Sequence, residues 1–179
     1  MLLQQLEHTL TKSKMVKLAA IAGNDSLSLP ELLDMCFYHR TEIAFRAAWI
    51  LEHVTTHYPE RFVPYLADFL SRYPKQQNPS CQRHFTNILI FLTGNRAEKK
   101  GIRLTGYDML PIVETTFNWL IAVDTAIAVK ANCMEVLYNL RHTADWITEE
   151  LHQQLLFLQR DGGPAIQSRS RKIMEKLNG

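Results

Sequence analysis

Cysteine, glycine and proline are sparse in this sequence, and their scarcity excludes several classes of protein. The 179 residues include three cysteines, seven glycines and seven prolines, and the glycines and prolines are too few for a low-complexity chain. The cysteines, Cys36, Cys81 and Cys133, are odd in number and far apart, so the sequence does not predict a disulfide framework. Unpaired cysteines are typical of a reducing compartment, and we expect a cytoplasmic protein.

Long apolar runs and an excess of one charge sign are also missing. No run approaches the roughly 20 residues that a membrane-spanning helix needs, and the first residues lack the basic and apolar regions of a signal peptide. The 20 Lys and Arg residues face 18 Asp and Glu residues, for a formal net charge of +2. Nucleic-acid-binding proteins usually carry a larger basic excess. We therefore predict no membrane segment, and nucleic acid is the less favoured partner.

The short motifs of common catalytic sites are absent as well. The sequence contains no G-x-S-x-G nucleophile elbow, no phosphate-binding glycine loop and no dinucleotide-binding fingerprint. We predict no catalytic residues, no cofactor and no enzymatic activity.

What the chain does contain is an apolar pattern that occurs four times. Counted from the first position, the apolar residues lie at offsets zero, four, seven, eight and eleven, which places them on one side of a helix. The copies begin at residues 43, 81, 129 and 166, which are 38, 48 and 37 residues apart, as in two-helix solenoid repeats. The members are Ile43, Ala47, Ile50, Leu51 and Val54; Cys81, Phe85, Ile88, Leu89 and Leu92; Val129, Cys133, Val136, Leu137 and Leu140; and Ile166, Ser170, Ile173, Met174 and Leu177.

Prolines, glycines and capping residues divide the chain into helices. The expected helix N-caps are Ser28, which has Pro30 in the following turn, Asn78, which Pro79 follows directly, and Asp124. We predict one all-α domain over 1–179, with an N-terminal helical cap over 1–25 and a connection over 93–106. Helix pairs are expected over 28–57, 59–93, 107–141 and 144–178. One pair cannot bury its apolar face alone, so about four pairs must stack into an α-α superhelix.

One copy of the pattern carries a family resemblance. Residues 128–140, AVKANCMEVLYNL, resemble the second helix of a HEAT repeat, in which a Val-Arg/Lys pair precedes small and apolar residues and a closing Leu-x-x-Leu. Ala44, Gln82 and Gln167 replace the basic residue that matches Lys130 in the other copies. Over about residues 28–178 the chain is similar to the HEAT/armadillo-like α-solenoid family. The resemblance implies a superhelix that works as a protein-binding scaffold.

The polar side of the same helices predicts an interaction surface. Offsets three, six and ten lie beside the buried positions, and in stacked repeats they would line the concave face. Trp and Arg are favoured interface anchors, so Arg46, Trp49 and Phe91 are the leading contacts. The alternative is that both aromatics pack between repeats while the polar residues face water. The whole set, called the ladder below, is Arg46, Trp49, His53, His84, Asn87, Phe91, Asn132, Glu135, Asn139, Arg169, Lys172 and Lys176.

Two further clusters suggest other chemistry. His53 and His57 have the four-residue spacing of a metal-chelating pair, but no third ligand can be placed, so no metal site is predicted. Lysines and arginines that can neutralise phosphates are concentrated in the connection and the last helix, at Arg96, Lys99, Lys100, Arg103, Arg169, Arg171, Lys172 and Lys176.

These observations favour one function over another. The predicted function is a non-catalytic scaffold or adaptor that binds a protein partner through its concave helical surface. The alternative is a HEAT-like protein that binds nucleic acid or modifies DNA, using the basic connection and the last helix.

Overall fold

The structure is a computed structural model that describes residues 2–7, 11–23 and 27–179. Over these residues the chain forms helices, turns and bends without a strand, which confirms the all-α prediction. Two short 3-10 helices, Val63–Tyr65 and Tyr73–Lys75, accompany twelve α-helices. The α-helices are α1 Leu2–Glu7, α2 Lys12–Gly23, α3 Leu29–Met35, α4 Thr41–His57, α5 Pro59–Phe62, α6 Leu66–Arg72, α7 Pro79–Leu92, α8 Asn95–Lys99, α9 Leu110–Ile121, α10 Ile127–Asn139, α11 Asp145–Asp161 and α12 Pro164–Asn178.

Helix starts follow the predicted caps in two of three cases. The Ser28 side chain accepts a hydrogen bond from the Glu31 N–H at 3.3 Å, and the Asn78 side chain accepts from Ser80 N–H at 3.0 Å. The prediction for Asp124 is wrong, because α10 begins at Ile127 and its N-cap is Ala126. Asp124 lies in the preceding turn, and no side chain of the described residues caps the first free N–H groups of α10.

Three segments differ from the predicted boundaries. The first helix after residue 59 is interrupted by the 3-10 helix at Val63–Tyr65, because Pro64 has no N–H to donate to the preceding turn. The predicted connection 93–106 contains the short helix α8. Helix α9 starts at Leu110 rather than at 107. In the N-terminal cap, α1 and α2 are described, whereas residues 1, 8–10 and 24–26 lie outside the described residues.

The repeated apolar positions form the core. Nineteen of the twenty are buried, and Leu177 near the end of α12 is half-buried. Ser170, the one polar member, is fully buried and donates its hydroxyl to the Gln167 carbonyl at 3.1 Å. Each fully buried Leu, Ile, Val or Phe contributes roughly 1.5–3 kcal/mol relative to exposure. Burial of this pattern therefore dominates the stability of the fold.

The helices pack as two layers. Within pairs, α3 contacts α4, α9 contacts α10 and α11 contacts α12. Between pairs, α4 contacts α7, α7 contacts α10 and α10 contacts α12, while α1 and α2 pack against α4. The second helices thus form a continuous layer, as in an α-α superhelix.

Aromatic side chains join the layers near the middle of the chain. The Phe69 and Phe85 ring centroids are 5.0 Å apart, and the Tyr73 ring centroid lies 4.7 Å from that of Trp119 on α9. The buried Tyr73 hydroxyl is 3.1 Å from the Thr116 hydroxyl. Because these rings come from two neighbouring helix pairs, 59–93 and 107–141, they hold the two pairs at a fixed relative position.

Candidate interaction groove

The exposed side of α4, α7, α10 and α12 carries the predicted ladder, and its central members meet across helices. Asn132 Nδ2 on α10 donates to Asn87 Oδ1 on α7 at 2.7 Å and to the Thr86 hydroxyl at 3.0 Å. About two helical turns further along α10, Asn139 Nδ2 donates to the Thr93 hydroxyl at 3.0 Å. These carboxamides therefore tie α7 to α10 along most of their length.

Glu52 on α4 extends this network although it lies outside the predicted ladder. Its Oε2 accepts from His84 Nδ1 at 2.5 Å and from Asn87 Nδ2 at 3.2 Å. The His84 side chain is 7% exposed and that of Glu52 is 24% exposed. The second ring nitrogen of His84, Nε2, is buried and has no hydrogen-bond partner among the described residues. The ring also lies 5.2 Å from Phe45.

A fourth offset, nine residues after the first position of each copy, would have predicted Glu52 from the sequence. Glu52, Ile90 and Tyr138 each lie nine residues after the first position of their copy. Offset nine follows offset six by just under one helical turn, so residues at both offsets lie on the same side of the helix. The ladder predicted from offsets three, six and ten therefore omitted Glu52.

Positively charged side chains surround Glu135 and Tyr138 at the other end of the network. Lys176 Nζ lies 2.7 Å and Arg169 Nη1 3.5 Å from the Glu135 carboxylate, which joins α12 to α10. The Arg141 guanidinium carbon lies over the Tyr138 ring, 4.1 Å from its centroid, and Lys176 Nζ lies 5.2 Å from the same centroid. Stacking of this kind fixes the orientation of a cation that stays accessible to solvent.

These groups enclose a groove of about 800 Å³ between the second helices. Helix α8 contributes Arg96 to the lining, and the guanidinium carbon of Arg96 lies 5.9 Å from the centroid of the Phe91 ring. The groove is thus lined by cations, carboxylates, amides and aromatic rings together. The residues that line it include Glu52, Asn87, Phe91, Arg96, Glu135, Tyr138, Asn139, Arg141 and Lys176.

A sequence model of the HEAT repeat domain matches residues 2–177, almost the whole chain. The chain belongs to the HEAT repeat family. The predicted resemblance and the predicted α-α superhelix are therefore confirmed. Among curated proteins no match is found. Within the described ranges, no helix of this HEAT repeat protein is long and apolar enough to cross a membrane.

Several ladder residues of this HEAT repeat protein do not line the groove, and one that does is almost fully buried. Arg46 Nη1 donates to the backbone carbonyls of Leu6 and Glu7, so it ties α1 to α4. Trp49 is half-buried and packs against the core. Phe91 lines the groove but is only 6% exposed, in contrast to the exposed aromatic expected from the sequence. Lys172 is exposed on α12 and does not line the groove.

The two histidines with chelating spacing stack instead of converging on a common point. The His53 and His57 rings are 4.0 Å apart and 15° from parallel. His57 Nδ1 lies 3.0 Å from the His53 carbonyl oxygen. Burial, and then the neighbouring His57, lower the pKa of His53 below its usual value. In the part of the chain that is described, no cluster of three metal-ligating side chains occurs.

The basic connection and the last helix contribute one residue each to the groove. Arg96 comes from α8 and Lys176 from α12, whereas Lys99, Lys100 and Arg103 do not line it. Arg103 lies beside a second cavity of about 560 Å³, together with Glu98. The predicted basic residues therefore do not form one continuous positive surface inside the groove.

The cysteines are buried in the core. Desolvation raises the pKa of the Cys81 thiol to about 12, and burial also raises the pKa values of Cys36 and Cys133. Because the thiolate is the reactive form, these side chains act as small apolar residues at neutral pH.

Proposed function

We propose that this HEAT repeat protein is a non-catalytic scaffold that binds an extended segment of a partner protein in the groove between α4, α7, α10 and α12. The observation that carries the proposal is the groove itself, with about 800 Å³ of space and a mixed polar and aromatic lining. Binding sites typically combine a concave surface with a few fixed polar groups that orient the ligand.

The contacts of the ladder favour the α7–α10 part of the groove as the centre of binding. Asn139 and Glu135 from the predicted set line the groove, as do Phe91 and Asn87. The Asn139 side chain is held by Thr93 through Nδ2, so its oxygen is positioned to accept a backbone N–H from a bound segment. Arg46, by contrast, is occupied by the carbonyls of α1. We therefore place the main contacts on α7 and α10 rather than on α4.

The charges of the groove favour a protein over nucleic acid. Glu52 and Glu135 interrupt its basic lining, so the groove does not offer the continuous row of cations that the phosphates of a nucleic-acid strand require. The three basic residues of the connection outside the groove, Lys99, Lys100 and Arg103, are not positioned to compensate. We also propose a cytoplasmic location, because the three cysteines are unpaired.

A library of random short peptides displayed on phage, selected against the purified protein, tests the proposal. Asn139→Trp fills the groove with a large side chain, whereas Gln153→Trp introduces the same side chain on the exposed surface of α11 and serves as the matched control. We expect selected peptides to bind the wild type and Gln153→Trp equally and to bind Asn139→Trp at least about tenfold more weakly, since a filled pocket excludes the anchor residues.

Melting curves of both variants establish that they remain folded. Peptides that bind Asn139→Trp as well as the wild type would contradict the proposal. Failure to select any peptide, together with salt-sensitive binding of an oligonucleotide, would favour the nucleic-acid alternative instead.

A further inference from the structure

The groove carries more positive than negative charge, and its negative groups are already engaged. Glu135 is paired with Lys176 and Arg169, and Glu52 accepts hydrogen bonds from His84 and Asn87. Their capacity to attract a cationic ligand is therefore reduced, because each carboxylate already has its counter-charge or its donors.

Arg141 is held with part of its hydrogen-bonding capacity unused. Its guanidinium carbon lies 4.1 Å from the centroid of the Tyr138 ring, and Nη1 donates to the Tyr138 carbonyl at 2.8 Å. No carboxylate lies within ion-pair distance of it among the described residues. A guanidinium fixed in this way loses little conformational entropy when its remaining N–H groups bind a carboxylate.

Arg96 supplies a second guanidinium group in the groove. It is exposed on α8, it lies 5.9 Å above the Phe91 ring, and it has no carboxylate partner in the described part of the chain. Both arginines line the same groove. The groove thus offers two guanidinium groups without a carboxylate partner among the described residues, beside aromatic and amide side chains.

We infer that the segment bound in the groove is acidic, with glutamate or aspartate side chains that pair with Arg141 and Arg96. This inference rests on the proposed function and adds the chemistry of the partner to it. An acidic peptide fits better than a nucleic acid because a few carboxylates can meet the two separate arginines, whereas the phosphates of a strand recur at every nucleotide and need a continuous row of cations. The backbone of such a segment can also donate to the Asn139 side-chain oxygen.

Three fluorescein-labelled peptides of equal length test the inference by fluorescence anisotropy. Leucine and serine occupy the same positions in all three, and the variable positions are all glutamate, all glutamine or all lysine. The glutamate peptide is expected to bind more tightly than the other two, and its affinity is expected to fall as salt is raised.

Single substitutions locate the binding. Arg141→Gln is expected to weaken binding of the glutamate peptide about tenfold, because a hydrogen bond to a charged group is lost. Arg141→Lys keeps the charge but not the planar donor pair, so it should give an intermediate loss. Arg96→Gln should weaken binding as well. Arg171→Gln removes the same charge from a residue of α12 that does not line the groove, and should leave binding unchanged.

The outcomes separate this inference from the proposed function. Equal binding of the three peptides, with loss on Asn139→Trp, would overturn the acidic preference and leave the groove as a peptide site. Equal affinities of Arg141→Gln and Arg171→Gln for the glutamate peptide would overturn the inference, as would no binding of that peptide at all. Tighter binding of a single-stranded oligonucleotide than of the glutamate peptide, reduced by Arg141→Gln, would overturn both.

Discussion

Replacing Glu52 with leucine removes the hydrogen-bond partner of a histidine that the fold has buried. His84 would then have both ring nitrogens buried without a partner, since Nε2 already has none in the described structure. An unsatisfied buried polar group costs about 1–3 kcal/mol, and because Glu52 is 24% exposed we expect about 2 kcal/mol. For a chain of this length each kcal/mol lowers the melting temperature by about 2–4 °C, so Glu52→Leu should lower it by about 4–8 °C.

A double-mutant cycle isolates this interaction from other effects of the leucine. His84→Leu leaves Glu52 partly solvated and bonded to Asn87, so we expect a loss of about 1 kcal/mol. In the double variant no buried ring is left unpaired, so its loss should be no larger than that of Glu52→Leu alone. The expected coupling energy between the two positions is about 1 kcal/mol.

Urea unfolding followed by circular dichroism, with a common slope for all variants, measures these free energies. Glu114→Leu, an exposed glutamate on α9, is the matched control and should change the free energy of unfolding by less than about 0.5 kcal/mol. Strictly additive losses at positions 52 and 84 would refute the reasoning, because they would show that the two side chains do not stabilise each other.

Three further predictions concern other parts of the molecule. Gly162→Ala should destabilise the protein by about 1–3 kcal/mol in urea unfolding, because the added Cβ would lie 2.5 Å from the Leu158 carbonyl oxygen, whereas Gly163→Ala meets open space and should be tolerated. Labelling of Cys81 by iodoacetamide should be at least about a hundredfold slower in the native protein than in guanidinium, since burial raises the pKa of the thiol; equal rates would contradict its burial. The lowered pKa of His53 means that the unfolded chain binds a proton more readily than the native one, so the free energy of unfolding should fall as pH drops below about 6.5. His53→Gln should flatten that part of the pH profile, and an unchanged profile would contradict the assignment.

Helical periodicity was sufficient to identify the core, whereas the resemblance to the family came from the motif at residues 128–140. Residues such as Ile50, Phe85 and Leu137 are fully buried, as their spacing predicts. This part of the fold is local information, because a 3.6-residue period assigns each side chain to one side of its own helix. The helix starts at Ser28 and Asn78 were predictable for the same reason, since a cap depends on residues two or three positions away.

The composition of the groove was only partly predictable. The sequence placed Asn87, Asn132 and Asn139 on one surface, but it did not indicate that Arg46 would bind the carbonyls of α1 or that Phe91 would be almost fully buried. Both outcomes depend on which neighbouring helix approaches and how closely. Neither quantity is encoded in the spacing of residues along a single helix.

By itself, the sequence determined that the chain is helical, which side of each second helix is buried, and that successive pairs stack. The tertiary structure alone decided which polar side chains meet: Glu52 pairs with His84 across 32 residues, and Glu135 with Lys176 across 41. Such pairs form only at the distance and crossing angle at which two helices pack, and that geometry is set by the fit of the side chains between them. For this reason the charge of the groove, on which the proposed partner depends, became visible only in the folded protein.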